Sequence, residues 1–300
     1  MSEQTSPETV DAAAQRIRRA RTALFVPGDR PERFAKAIAA DPGLVILDLE
    51  DAVATEAKES ARAVVLEAVH GSRQTGLRAV VRVNPVGTPT HEDEVGALLA
   101  SDVAGDGGLL GIMVPKAEDP AVLASLAQRT AGAGIGLIAL IESAAGALES
   151  VPLAAVEGVT RLAFGAVDYC LDIDADPGLE AVLDHPRTAL VLASRAAGLP
   201  APLDTPSTAI RDLESVERSA RRGRAFGMGG KLCIHPAQIP VVETAFTPTE
   251  QEIRWAHQVL SAEGGAAQVD GTMVDRPVLD RARRILATAP SSAEPRKEDS

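Results

Sequence analysis

The chain has 300 residues, 45% of them hydrophobic and only 2% aromatic, and a formal net charge of -12. That charge argues against a general nucleic-acid or anionic-membrane binder, because phosphate affinity needs a basic surface. It leaves room for a local basic pocket around one phosphorylated cofactor. The length allows one large core of Val, Leu, Ile and Ala, and a single α/β barrel reaches this size.

Residues 1–20 are polar and Ala-rich, with Arg16, Arg18, Arg19 and Arg21 ahead of the first apolar run. They lack the apolar core of a signal peptide and read as a flexible arm. Eight short apolar runs follow, at 22–26, 44–49, 79–83, 111–114, 136–141, 161–164, 201–203 and 230–234. Helical patterns lie between them, near 31–40, 56–69, 91–101, 119–131, 144–156, 179–197 and 207–225. Eight such units predict an α/β fold, a parallel (β/α)8 TIM barrel over residues 21–247; a doubly wound open sheet is the competitor. Residues 248–288 read as a C-terminal helical extension: a helix, a link at Gly264-Gly265, and a second helix from about Arg276. Residues 289–300 read as a disordered tail. No run is long and apolar enough to span a membrane, and the expectation is a cytoplasmic protein. Cys170 and Cys233 form no CxxC pair and read as small buried apolar residues.

In such barrels the loops at the carboxyl ends of the strands form the active site. The polar residues there are Arg30, Asp48, Glu50, Asp51, Arg82, Asn84, Lys116, Glu142, Asp168, Asp204 and His235. Glu142 and Asp168 each follow an apolar run where a buried strand would pass into a loop. Two carboxylates on neighbouring strand ends can share one hard divalent cation, Mg2+ foremost, and leave coordination positions for substrate oxygens. The bland alternative is a pair salt-bridged to Arg or Lys. Arg82, ending a third run, suits a keto acid or a developing enolate, or else neutralises Asp48 or Glu50. Glu50 and Asp51 could orient Arg82 and metal-bound waters, or Asp51 could cap the next turn. His235 reads as a structural strand-end residue, and His91 as a surface one. The clusters Gly132-Ala-Gly134-Ile-Gly136 and Gly229-Gly230-Lys231 precede strands and read as ordinary turns rather than nucleotide-binding loops.

Several segments, taken in order, resemble the citrate lyase β-subunit-like family of acyl-CoA lyases. They are Leu24-Phe-Val-Pro-Gly-Asp-Arg-Pro-Glu-Arg-Phe-Ala-Lys36, Ile46-Leu-Asp-Leu-Glu-Asp-Ala-Val53, Val81-Arg-Val-Asn84, Met113-Val-Pro-Lys116, Ile141-Glu-Ser143, Phe164-Gly-Ala-Val-Asp168 and Cys233-Ile-His-Pro236. The resemblance runs from about Arg21 to Arg284 and implies the same barrel, assembled as a homo-oligomer, a trimer or hexamer. It implies Glu142 and Asp168 as Mg2+ ligands and Arg82 as the group that steadies the thioester enolate. Glu50 joins Arg82 in that catalytic set. Phe25, Arg30 and Lys36 resemble positions that hold coenzyme A. The segment Asp270-Gly-Thr-Met-Val-Asp275 resembles the C-terminal motif of stand-alone lyases. Its Asp275 would act as acid/base from an adjacent subunit; a helix-start cap is the plain alternative.

The activity implied is a Mg2+-dependent carbon–carbon lyase. It would cleave or form a 3-hydroxyacyl-CoA of malyl, citramalyl or hydroxymethylglutaryl type, giving a thioester such as acetyl-CoA and a keto acid. The rivals are a metal-dependent aldolase for free hydroxy-keto acids and a non-catalytic CoA-ester binding protein.

Overall fold

The computed structural model describes residues 7–100, 107–262, 268–269 and 272–289. Eight parallel strands close into a barrel in chain order. They are β1 (Thr22–Pro27), β2 (Leu44–Asp48), β3 (Ala79–Arg82), β4 (Leu109–Val114), β5 (Gly136–Ile141), β6 (Val159–Phe164), β7 (Leu203–Asp204) and β8 (Gly230–Cys233). Closure is made by β8 against β1, where Thr22 pairs with Lys231 and Leu24 with Cys233. The helices Lys58–His70, Pro120–Gly132, Asp184–Ala196 and Leu213–Phe226 alternate with strands. Among the described residues no helix is long and apolar enough to cross a membrane.

The barrel interior follows the period of two that a strand imposes. Ala23 on β1, Leu44 and Ile46 on β2, Val80 on β3, Ile138 and Leu140 on β5, Ala163 on β6 and Leu232 on β8 share one buried cluster. Both cysteines are buried, and burial pushes the Cys233 thiol up to about 12.

The amino-terminal end of this interior is filled by a segment that the sequence reading takes as a flexible arm. Residues Pro7–Arg19 form a helix. Ile17 and Ala20 belong to the barrel's own core cluster, with Ala13 packed on it. Those three positions are spaced i, i+4 and i+7, one face of a helix. Space for Ile17 comes from missing side chains: a Cβ on Gly136 would lie 2.5 Å from its Cδ1, and one on Gly111 2.9 Å. Gly136, the first residue of β5, is therefore a packing requirement rather than part of an ordinary turn. Arg161 locks the arrangement from β6. Its guanidinium donates to the carbonyls of Ile17 (2.9 Å), Ala20 (2.6 Å) and Ala201 (2.8 Å). Burial, with Arg18 nearby, pushes that guanidinium down to about 9. It sits at the carboxyl end of the helix, where a cation complements the backbone dipole.

The chain divides into two compact units, residues 1–243 and 244–300. The second contains the helices Glu250–Ser261 and Arg276–Thr288 and a two-stranded antiparallel ladder pairing Thr272 with Val269. Its own core comprises Ala256, Val259 and Ala282, with Trp255 and Val278 packed on it. The link Gly264-Gly265 and the tail beyond residue 289 lie outside the described residues.

Candidate active site

The alternation that builds the barrel core also builds the site. Two residues beyond Ile46, Val80 and Leu140, the same inward face carries Asp48, Arg82 and Glu142. All three are buried. They line one cavity of about 400 Å3, together with Phe25, Asp51 and Asp168.

Arg82 is held on several sides. Its Nε and Nη2 donate to the two oxygens of Asp48, each at 2.7 Å, a bidentate pair. Nη1 lies 2.7 Å from Glu50 Oε2 and 3.5 Å from Asp51. The ring of Phe25 lies 4.7 Å from the guanidinium carbon, a cation–π distance. Burial works against the Arg82 charge, but the hydrogen bonds and charge of Asp48, then Glu50 and Asp51, outweigh it and raise its pKa.

Glu142 follows β5 directly and precedes Ser143, whose hydroxyl caps the next helix by accepting from the Gly146 N–H. Its Oε1 accepts from the backbone N–H of Lys116 at 2.9 Å. Lys116 adopts φ +47°, a conformation a non-glycine residue rarely takes. Gly165 faces the other carboxylate oxygen: a Cβ there would lie 2.6 Å from Oε2. Burial pushes Glu142 up to about 8, with Glu50 and Asp168 adding to the rise against Arg82. Glu50 rises to about 7, again through burial first, with Asp51 and Asp48 opposing the pull of Arg82. Its Oε2 meets Arg82 Nη1 at 2.7 Å as a buried ion pair.

Asp168 is not in a loop, as the sequence suggests, but in the first turn of the helix Ala166–Asp172. That helix is tied to the end of β7 by Ala166 N–H donating to Thr205 Oγ1 at 3.0 Å. Among the described residues no group of three or more His, Cys, Asp or Glu could hold a metal by itself. Glu142 and Asp168 nevertheless fit a hard cation. Such an ion takes a few carboxylates and fills its shell with substrate and water, and it offsets the charge that burial disfavours.

Lys36 lines an adjoining cavity of about 360 Å3 with Arg33 and His235. Phe25, Pro27, Arg33 and Ile234 line both cavities. Arg33 escaped the sequence reading, although Arg30, Arg33 and Lys36 repeat every three residues, a legible basic stripe. Arg30 is exposed, 3.8 Å from Asp29.

Three strand-end polar residues face elsewhere. Asp204 points away from the cavity and is buried against Arg187, at 3.0 Å, and Lys231, at 3.5 Å. His235 caps the turn Pro236–Gln238 through Nδ1. Asn84 bonds to Glu94 and His91, and His91 is buried rather than on the surface. Asp275, in the C-terminal unit, is exposed and caps the helix Arg276–Thr288 by accepting from Val278 N–H at 3.1 Å.

Residues 21–236 match the family described as HpcH/HpaI aldolase/citrate lyase. The chain is 38% identical over 278 residues to a citrate lyase subunit beta-like protein of Mycobacterium tuberculosis, covering 89% of this chain and 94% of that one. It is 29% identical over 299 residues to the mitochondrial citramalyl-CoA lyase of Homo sapiens, covering 91% and 86%. The crystal structure of protein CitE from Mycobacterium tuberculosis in complex with magnesium, acetoacetate and coenzyme A superposes with a TM-score of 0.75 at 37% identity, covering 90% of this chain and 98% of that one. With a closed eight-stranded barrel and a carboxylate–guanidinium cluster at its mouth, the chain belongs to the HpcH/HpaI aldolase/citrate lyase family and is a carbon–carbon lyase.

Proposed function

We propose that the chain is a Mg2+-dependent lyase that breaks or makes a carbon–carbon bond in a 3-hydroxyacyl-CoA, with a thioester such as acetyl-CoA and a keto acid as its other partners. The observation that carries this reading is the surplus of buried carboxylate around one guanidinium. Glu142 is pushed up to about 8 while sharing a cavity with Asp168. Glu142 and Asp168 would hold Mg2+, which when bound supplies Lewis-acid polarisation of the keto-acid oxygens.

The remaining tasks belong to side chains. Asp48 and Phe25 hold Arg82 in one orientation at the cavity wall. A guanidinium has five N–H donors, so the N–H groups not committed to Asp48 and Glu50 can meet the enolate oxygen of the thioester. Glu50 keeps Arg82 aligned and takes part in the catalytic set. The groove lined by Arg33 and Lys36 offers two exposed cations for the phosphates of coenzyme A, with Arg30 beside it on the same turn. Asp275 would exchange the acetyl proton from a neighbouring copy, which makes the working unit a homo-oligomer, a trimer or hexamer. Its capping bond uses one carboxylate oxygen and leaves the other for that proton. The resemblance to a citramalyl-CoA lyase and to a CitE structure holding magnesium, acetoacetate and coenzyme A supports this assignment.

The test is a panel of malyl-, citramalyl- and hydroxymethylglutaryl-type CoA esters, assayed for thioester and keto-acid release with Mg2+ and with chelator. Chelator-sensitive release from one ester is the expected result. Silence on every ester with cleavage of free hydroxy-keto acids would replace the reading with an aldolase. Silence on both would replace it with a binding protein.

A further inference from the structure

We propose that Lys58 is a positioning residue for the Glu50–Arg82 pair, an inference that rests on the lyase function above. Its ammonium donates to two adjacent carbonyls, Leu49 O and Glu50 O, each at 2.7 Å. These carbonyls belong to the peptide that leaves β2 after Asp48 and brings Glu50 to within 2.7 Å of Arg82 Nη1. Leu49 O takes a second donor, Asn84 Nδ2, at 2.9 Å. Asp48 grips the same segment by its N–H groups: Oδ1 accepts from Glu50 N at 2.9 Å and Oδ2 from Ala52 N at 3.2 Å. The backbone around Glu50 is thus fixed by its carbonyls as well as its amides.

The Glu50 carboxylate has one close cationic partner, Arg82. Its Oε2 lies 2.7 Å from Arg82 Nη1, whereas its Oε1 lies 3.9 Å from Lys116 Nζ, beyond hydrogen-bonding range. With that single close partner, the point at which Glu50 meets Arg82 is set by the backbone that carries it, and that backbone is what Lys58 holds. The place of Lys58 in its own helix points the same way. It is the first residue of Lys58–His70, where a positive charge opposes the helix dipole. Ala57 before it offers no side-chain cap. The lysine does not serve the helix it starts; it is half-buried and spent on the neighbouring loop. A flexible stem with three rotatable donors suits two converging carbonyls better than the planar fork of Arg.

The experiment compares Lys58→Met and Lys58→Arg with the wild type, with Lys58→Gln as the milder change should Met fail to fold. Thermal midpoint, Mg2+ affinity by calorimetry, kcat and KM on the ester turned over by the wild type, and a crystal structure of the variant are measured. Lys58→Met, or Lys58→Gln in its place, is expected to lower kcat by about 10- to 100-fold, the range for residues that orient active-site groups. KM and Mg2+ affinity should stay within about threefold. Glu50 should turn away from Arg82 in the crystal, and Lys58→Arg should recover part of kcat. Wild-type kcat in the variant, a fall that merely tracks lost folding, or an unmoved Glu50–Arg82 contact would each overturn the proposal. A wild type inactive on every ester would sink the functional reading instead, and the crystallographic arm would still decide what Lys58 holds.

Discussion

At Glu142, burial and two neighbouring carboxylates act on one carboxyl group. Its folded pKa of about 8 lies above the ordinary carboxylate value, so below that pH a metal held by Glu142 would have to displace a proton. Mg2+ affinity of the metal-free protein should therefore rise with pH from 6 to 8, by about tenfold per unit at most, and level off above. Calorimetry across that range checks it, and a flat profile would count against Glu142 as a ligand. The sign for stability is opposite: a raised folded pKa means that chelated protein loses stability as pH rises through about 8. Gly165 offers a second test. A Cβ 2.6 Å from Oε2 must push the carboxylate aside. Gly165→Ala should weaken Mg2+ binding by about tenfold while leaving the far-ultraviolet circular dichroism unchanged, and an unaltered Kd would refute the contact.

At the scale of elements, the strands were legible because each is a short run of Val, Ile, Leu and Ala between turn residues, and their ends fall within a few residues of the observed ones. The cavity followed from them, since inward-facing positions continue into Asp48, Arg82 and Glu142. What stayed hidden depended on tertiary contact. The helix Ala166–Asp172 is short and starts at a glycine, so its pattern reads as loop. The helix Pro7–Arg19 has its narrow Ala13, Ile17 and Ala20 stripe masked by a run of arginines. Its importance is measurable by urea unfolding. Ile17→Ala should lose about 2–5 kcal/mol, as a fully buried aliphatic truncation does. Arg161→Met should lose at least about 3 kcal/mol, because three carbonyls lose their donor. Losses below 1 kcal/mol in both would show that the helix is dispensable.

For the whole molecule, the candidate site lies at one end of the barrel and the Ile17 plug at the other. The buried network of Asp204, Arg187 and Lys231 lies on the outer side of the strands, where charge supports packing rather than reaction. Sequence alone placed Asp204 with the mouth residues, since a strand of two residues gives no alternation from which to read its facing.

The plug formed by Ile17 and Arg161 also has a kinetic consequence. The barrel interior below the site is packed with side chains down to Ile17, so everything that enters must leave by the same opening, and whatever sits deepest is trapped by what sits above it. A keto acid held beside buried Glu142 would lie beneath the thioester, so binding and departure become a queue. Condensation would then take the keto acid first, and cleavage would release it last. Product-inhibition patterns should then show the keto acid competing with the acyl-CoA ester and acetyl-CoA inhibiting noncompetitively, whereas symmetrical competition by both products would mean that the queue can be bypassed.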